Sequence, residues 1–224
     1  MKKLKLCILC LILVIGLSGC SFGSLFKNPD TKNPNGQTNV QNPDDEDQAK
    51  YKDYVFVGDS RFVGMKGAVK SKAGNDIEFV AKVGEGLSWL KKQAPDLYQK
   101  TGKTIIFNFG VNDLHNASKY VDFYNSMPEE FMKKNTLVFM TVNPVDEAKE
   151  AEHGYKIKNK DIEKFNNKMK SGLDKQYFHI IDTNTYIQLK DFKTTDGLHY
   201  NNDTYKLIFK YAVKCCEEKD FVRR

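Results

Sequence analysis

Ser60, Asp196 and His199 supply a hydroxyl, a carboxylate and an imidazole. A serine hydrolase uses that set as nucleophile, orienting acid and base. Asp196 and His199 share the string Asp196-Gly197-Leu198-His199, close enough for the carboxylate to fix the imidazole tautomer and stabilise the imidazolium. The other ring nitrogen is then left to take the serine proton. Such a reaction also needs donors for the oxyanion of its transition state. Asn112, in Phe109-Gly110-Val111-Asn112-Asp113, offers a side-chain amide, and the backbone N–H groups of Ser60 and Gly84 make up an expected three-donor oxyanion hole. Gly84 belongs to Val83-Gly84-Glu85-Gly86, which leaves Gly86 open as the alternative donor.

The neighbours of these residues have supporting roles in this reading. Asp59, in Val57-Gly58-Asp59-Ser60, and Asp113 are loop-holding carboxylates. Gly110 suits a place where the backbone passes close to the nucleophile. His115 belongs at a pocket rim, whereas His153 and His179 have no acidic partner placed as Asp196 is for His199. A metal reading finds no His-Glu-x-x-His string and would have to press Asp113, His115 and Asp196 into service. The Gly-x-Ser-x-Gly elbow is absent too. No metal and no cofactor are therefore assigned.

Positioning these residues falls to alternating elements. Apolar, β-rich runs at Tyr54 to Val57, Ile77 to Val83, Thr104 to Phe109, Leu137 to Val142 and Phe178 to Ile181 predict strands. Between and after them, helices are expected at Phe62 to Lys70, Ser88 to Tyr98, Pro128 to Lys134, Lys160 to Leu173 and Asp203 to Glu218. In the last, Tyr205, Ile208, Ala212 and Cys215 recur at helical spacing as a core stripe. Alternation of this kind predicts an α/β fold, a three-layer α/β/α sandwich around a five-stranded parallel sheet. Gly58-Asp59-Ser60, Gly84 and Gly110 to Asp113 then lie at the carboxyl ends of three strands, and the Asp196–His199 loop returns to the same edge. Ligands of open α/β sheets bind there.

The N-terminus bears on compartment. Lys2, Lys3 and Lys5 precede an apolar run from Leu6 to Leu17, of signal-peptide length, which ends in Leu17-Ser18-Gly19-Cys20. That string resembles a bacterial lipobox, so residues 1–19 are expected to be a lipoprotein signal peptide and Cys20 the lipidated first residue of the mature chain. Residues 20–50, rich in Asn, Pro, Asp, Gln and Thr, read as a flexible tether, and residues 51–224 as one domain. The tether's acidic run, Asp44 to Asp47, is given no function. Loss of the signal lowers the formal net charge from +6 by three lysines. The small positive balance left permits contact with anionic envelope components, and no basic stripe with interleaved aromatics points to nucleic acid. Of the five cysteines, Cys215 and Cys216 alone remain beside Cys20, and neighbouring cysteines are expected to stay reduced on a helix.

Four strings in this order resemble those of the SGNH hydrolases, the GDSL-like lipases and esterases. Gly58-Asp59-Ser60 matches the family's first block, with Arg61 in place of its common leucine; Gly84 matches the second block, Gly110, Asn112 and Asp113 the third, and Asp196 with His199 the last. The resemblance implies a flavodoxin-like sheet and hydrolysis of acyl esters by Ser60, Asp196 and His199. The expected substrate is a short-chain O-acyl ester, O-acetyl above all, on envelope carbohydrate at the outer face of the cell membrane. About 30 tether residues give a mean reach of roughly 30 Å. Long-chain lysophospholipase or thioesterase activity, and a silent binding module, are the alternatives. Trp89 with Leu87, and the segment Asn143 to Lys158 with Tyr155, are candidate pocket walls.

Overall fold

Every strand of the domain is apolar on both of its faces, which a sheet tolerates only when helices cover both sides. The computed structural model describes residues 51, 53–69, 77–219 and 221. The expected signal peptide, Cys20, the expected tether and its acidic run lie outside them. Five strands, β1 (Tyr54–Gly58), β2 (Glu78–Ala81), β3 (Thr104–Asn108), β4 (Thr136–Met140) and β5 (Phe178–Ile181), form one all-parallel sheet in the order β2-β1-β3-β4-β5.

Among the described residues eight α-helices follow the strands: α1 (Ser60–Val69), α2 (Leu87–Leu97), α3 (Ala117–Asn125), α4 (Glu129–Lys134), α5 (Glu147–Glu152), α6 (Asn159–Gly172), α7 (Thr183–Gln188) and α8 (Asn202–Glu218). Alternation along the strands divides the core in two. Val55, Val57, Ile105, Phe107, Leu137 and Phe139 pack against α2, α3, α4 and α6. On the other face Phe56, Ile106, Val138 and Met140 meet α1, α7 and α8. This is the expected three-layer sandwich, and each strand overlaps its predicted run, although β1 extends one residue beyond it to Gly58 and β4 begins one residue earlier, at Thr136.

The differences are local. β2 ends at Ala81, and Lys82 donates its N–H to Gly58, 3.3 Å away, before the chain leaves the sheet. Helices α3, α5 and α7 are additional to those predicted. The stripe on α8 is as read, with Tyr205, Ile208, Ala212 and Cys215 all buried. Cys215 and Cys216 form no disulfide. Among the described residues no helix is long and apolar enough to cross a membrane.

Strand order decides where a ligand fits. β1 sits between β2 and β3, and successive connections run off in opposite directions from it, so a crevice opens beyond the carboxyl ends of β1 and β3. The helix that follows β1 opens with Ser60, and the loop that follows β3 carries Asn112.

Candidate active site

Asp59 occupies the cap position of α1. Its Oδ1 accepts the Arg61 N–H at 3.0 Å, so the helix begins at Ser60. Ser60 is buried, at 6% exposure. Its Oγ lies 2.9 Å from His199 Nε2, and His199 Nδ1 lies 2.7 Å from Asp196 Oδ2. With Asp196 ionised, Nδ1 holds the ring hydrogen and Nε2 presents its lone pair to the serine. The second carboxylate oxygen accepts the N–H groups of Leu198 and His199, at 2.9 and 2.7 Å. Burial opposes the charge of Asp196, but those N–H groups and the His199 ring outweigh it, and the carboxyl is held below its ordinary range.

Asn112 and Gly84 are brought together through the main chain. Asn112 Nδ2 donates to the Glu85 carbonyl at 2.8 Å, which joins the loop after β3 to the loop after β2 and leaves the second amide hydrogen able to donate elsewhere. The two glycines have different surroundings. Gly84 has φ +75 and open space where a side chain would be. Gly86 caps α2, and a Cβ there would lie 2.6 Å from Asp113 Oδ2. Asp113 fills that space instead, accepting Leu87 N–H at 3.1 Å, Asn116 Nδ2 at 3.3 Å and the Tyr120 hydroxyl at 2.8 Å. The buttressing expected of Asp113 is therefore present.

Asp59 is nearly inaccessible, and its Oδ2 has no hydrogen-bond partner among the described residues. Burial pushes its pKa up to about 6, against the pull of the Arg61 N–H, the Arg61 charge and His199, with Asp113 adding to the push.

Arg61 is the residue sequence reasoning left without a role. At 2% exposure, it donates from Nε to Leu198 O at 3.2 Å, from Nη1 to Asn143 O at 2.7 Å and from Nη2 to Pro144 O at 3.3 Å. The guanidinium also lies 5.2 Å from the Tyr200 ring centroid. A leucine could meet none of these carbonyls.

The segment from Asn143 to Glu150 is thereby sewn to the Asp196–His199 loop. Asp146 N–H donates to Gly197 O at 2.9 Å, Lys149 Nζ to Thr194 O at 2.8 Å, and the Tyr200 hydroxyl to Pro144 O. Gly197, at φ +88, packs so tightly on α5 that a Cβ would stand 2.2 Å from Glu150 N. The first half of the supposed pocket wall is a brace. Trp89 is likewise half-buried against Phe109, at 6.1 Å between ring centroids, and Leu87 is buried, so both belong to the core. Gly110 has a different reason from the one expected: at φ +126, a Cβ would run into the Phe165 ring at 2.4 Å.

His115 lines a cleft of about 450 Å³ that also borders Asn112. His153 Nδ1 lies 3.0 Å from Lys149 O, and His179 stacks on Phe221. Among the described residues no three His, Cys, Asp or Glu side chains group to hold a metal ion.

No protein-family model matches the sequence, and no curated protein sequence matches it either. Solved structures do match in three dimensions. A lipase/acylhydrolase from Enterococcus faecalis aligns with a TM-score of 0.57 at 16% identity, over 76% of this chain and 98% of that one. The fold is that of the SGNH hydrolases. The C-terminal catalytic domain of peptidoglycan O-acetyltransferase A from Streptococcus pneumoniae, solved with a methylsulfonyl adduct, aligns with a TM-score of 0.56 at 17% identity, over 77% and 97% of the two chains. An acetylxylan esterase from Geobacillus stearothermophilus gives 0.50 at 14%, over 72% and 92%. These SGNH-fold likenesses cover nearly the whole length of each relative.

Proposed function

We propose that this protein is a serine esterase that removes short acyl groups, O-acetyl above all, from envelope carbohydrate. The observation that carries the reading is the linked set Ser60 Oγ, His199 Nε2, His199 Nδ1 and Asp196 Oδ2, at 2.9 and 2.7 Å. In the mechanism, Ser60 Oγ attacks the acyl carbon while its proton passes to His199 Nε2, and the carbonyl π pair moves onto oxygen. The N–H groups of Ser60 and Gly84 and the amide of Asn112 receive that oxyanion. Ser60 begins α1, so its N–H is among those the helix leaves without an internal acceptor. Collapse breaks the bond to the alcohol oxygen, which takes the proton back from the imidazolium. Water then repeats the sequence on the acyl-serine, and the acid leaves.

Preference for short acyl groups on carbohydrate rests on two supports. Two of the similar structures are described as a peptidoglycan O-acetyltransferase and an acetylxylan esterase. The N-terminal string ending at Cys20 reads as a lipid anchor, which would hold the domain at the outer membrane face among envelope polymers.

A series of acetyl, butyryl, octanoyl and palmitoyl esters, assayed below their micelle limits, tests the acyl preference. Highest kcat/KM on acetyl supports it. A climb to octanoyl or beyond, as about 0.8 kcal/mol per buried methylene would produce, replaces it with a long-chain lipid esterase. Replacing Cys20 with serine should remove fatty-acid labelling, and labelling that persists would defeat the anchoring.

A further inference from the structure

The cleft beside Asn112 is larger than a two-carbon acyl group needs. At about 450 Å³ it falls in the range of small-ligand sites. Its floor is apolar, with Val111, Leu114 and Phe165, and its rim carries Lys156, Lys158 and Lys164. Two carboxylates also line it. Asp113 is occupied by its three donors. Asp161 lies 3.4 Å from Lys164 in an exposed i,i+3 pair, and Lys158 lies 3.4 Å from Glu147. Pairs that long and that open hold their partners weakly, and Lys156 makes no ion pair among the described residues. The wall thus has cationic side chains that can turn to an incoming anion, above a floor suited to the carbon face of a sugar or polyol. His115 lines the cleft as well.

Building on the esterase reading above, we infer that this cleft holds the alcohol half of the ester, and that this half carries an oxyanion, a carboxylate or a phosphate, seated among Lys156, Lys158 and Lys164. Asn112 ties the two sites together, because it borders the cleft and is also bonded to the loop that carries Gly84. An acetylated acidic glycan or polyol phosphate would then place its anion on the lysines while its ester reaches Ser60. A neutral acetylated glycan would lack that contact. The preference is electrostatic and so weakens as salt screens it.

The test uses full-length protein and two matched pairs of probes: acetylated polygalacturonate against its methyl-esterified form, and acetylated glycerol phosphate against acetylated glycerol. Each pair shares its acetyl group and differs in one kind of anion, which separates a carboxylate preference from a phosphate preference. We expect kcat/KM to be roughly fivefold higher on at least one charged member at low salt, the scale that two exposed ion pairs supply. The ratio should fall toward one at high salt and in the Lys156→Glu, Lys164→Glu double variant. A ratio near one for both pairs in the wild type, or one that the double variant leaves intact, overturns the inference. Affinity electrophoresis of the Ser60→Ala variant through the two polygalacturonates gives a readout that needs no turnover. Retardation by the acidic polymer alone supports the cleft even if the esterase reading fails; equal migration in both overturns it. Turnover of every acetyl ester without charge preference leaves the esterase reading standing.

Discussion

Arg61 Nε donates to the carbonyl of Leu198 at 3.2 Å, so the residue after Ser60 is bonded to the residue before His199. This bond runs beside the Ser60–His199 contact and holds the two loops in register independently of it. Arg61→Leu should therefore lower kcat about 10- to 100-fold, the scale of a small misplacement of catalytic groups, with KM little changed. Arg61→Lys should recover only part, since an ammonium cannot reach three carbonyls in a planar fork. Steady-state kinetics on an acetyl ester measure both. An Arg61→Leu variant with full kcat would show that the brace is dispensable.

Ser60→Ala should abolish ester turnover and leave the fold in place. Its side chain is small and makes one bond, to His199, so loss of the hydroxyl costs about 1 kcal/mol or less. Thermal melts that nearly coincide, with no hydrolysis, are the expected outcome; retained hydrolysis would defeat the serine mechanism.

Asp196→Asn removes the carboxylate that accepts from His199 Nδ1 at 2.7 Å. The imidazole is then no longer fixed in the tautomer that takes the serine proton, and kcat should fall by orders of magnitude. Steady-state kinetics on an acetyl ester measure the loss, and an unchanged kcat would take Asp196 out of the orienting role.

Stability should respond to pH through two carboxyls of opposite sign. Asp196 is lowered in the fold, so its contribution is present above the unfolded pKa of 3.8 and is lost as pH falls through its folded value. Asp59 is raised from 3.8 to about 6, so its ionisation opposes folding. That cost is absent below pH ~4, grows up to pH ~6 and stays at up to about 3 kcal/mol above it. Asp59→Asn keeps an oxygen for the Arg61 N–H and removes the charge. Urea unfolding should show the variant gaining on the wild type between pH 4 and 7.5. A constant difference across that range would contradict the buried charge.

Gly197→Ala should be severely destabilising, because it combines a positive φ with a Cβ 2.2 Å from Glu150 N. Gly67→Ala, on the exposed face of α1 with nothing within 4 Å, should stabilise by roughly 0.5–1 kcal/mol. Paired melts of the two variants check the contrast, and similar melts would mean that α5 yields to the new methyl.

Strand positions were legible because both-face burial makes each strand a continuous apolar run, and Tyr54 to Val57 or Leu137 to Val142 cannot be much else. That Ser60, Asp196 and His199 would meet was legible because residue type and spacing mark them as a candidate set before any fold is known. Helix α3 escaped notice: its buried side chains are Tyr120, Val121 and Tyr124, which favour strands by intrinsic preference. Arg61 escaped too, since arginine is normally exposed, and its acceptors Asn143, Pro144 and Leu198 are main-chain carbonyls that no pattern marks. Trp89 and Leu87 show the converse, apolar residues near a site that proved to be core.

Ser60 and His199 meet across 139 residues of chain. One arrives with the first strand, the other after the last. Bringing them together requires β1, β3, β4 and β5 to be laid side by side in the parallel sheet, the kind of long-range pairing that makes folding slow. Under the proposed reading, a chain exported unfolded with its amino end first would be inert throughout its passage, because the proposed base, His199, comes out near the end. Hydrolysis would begin only once folding was complete, and returning activity after denaturation would lag behind returning helix content.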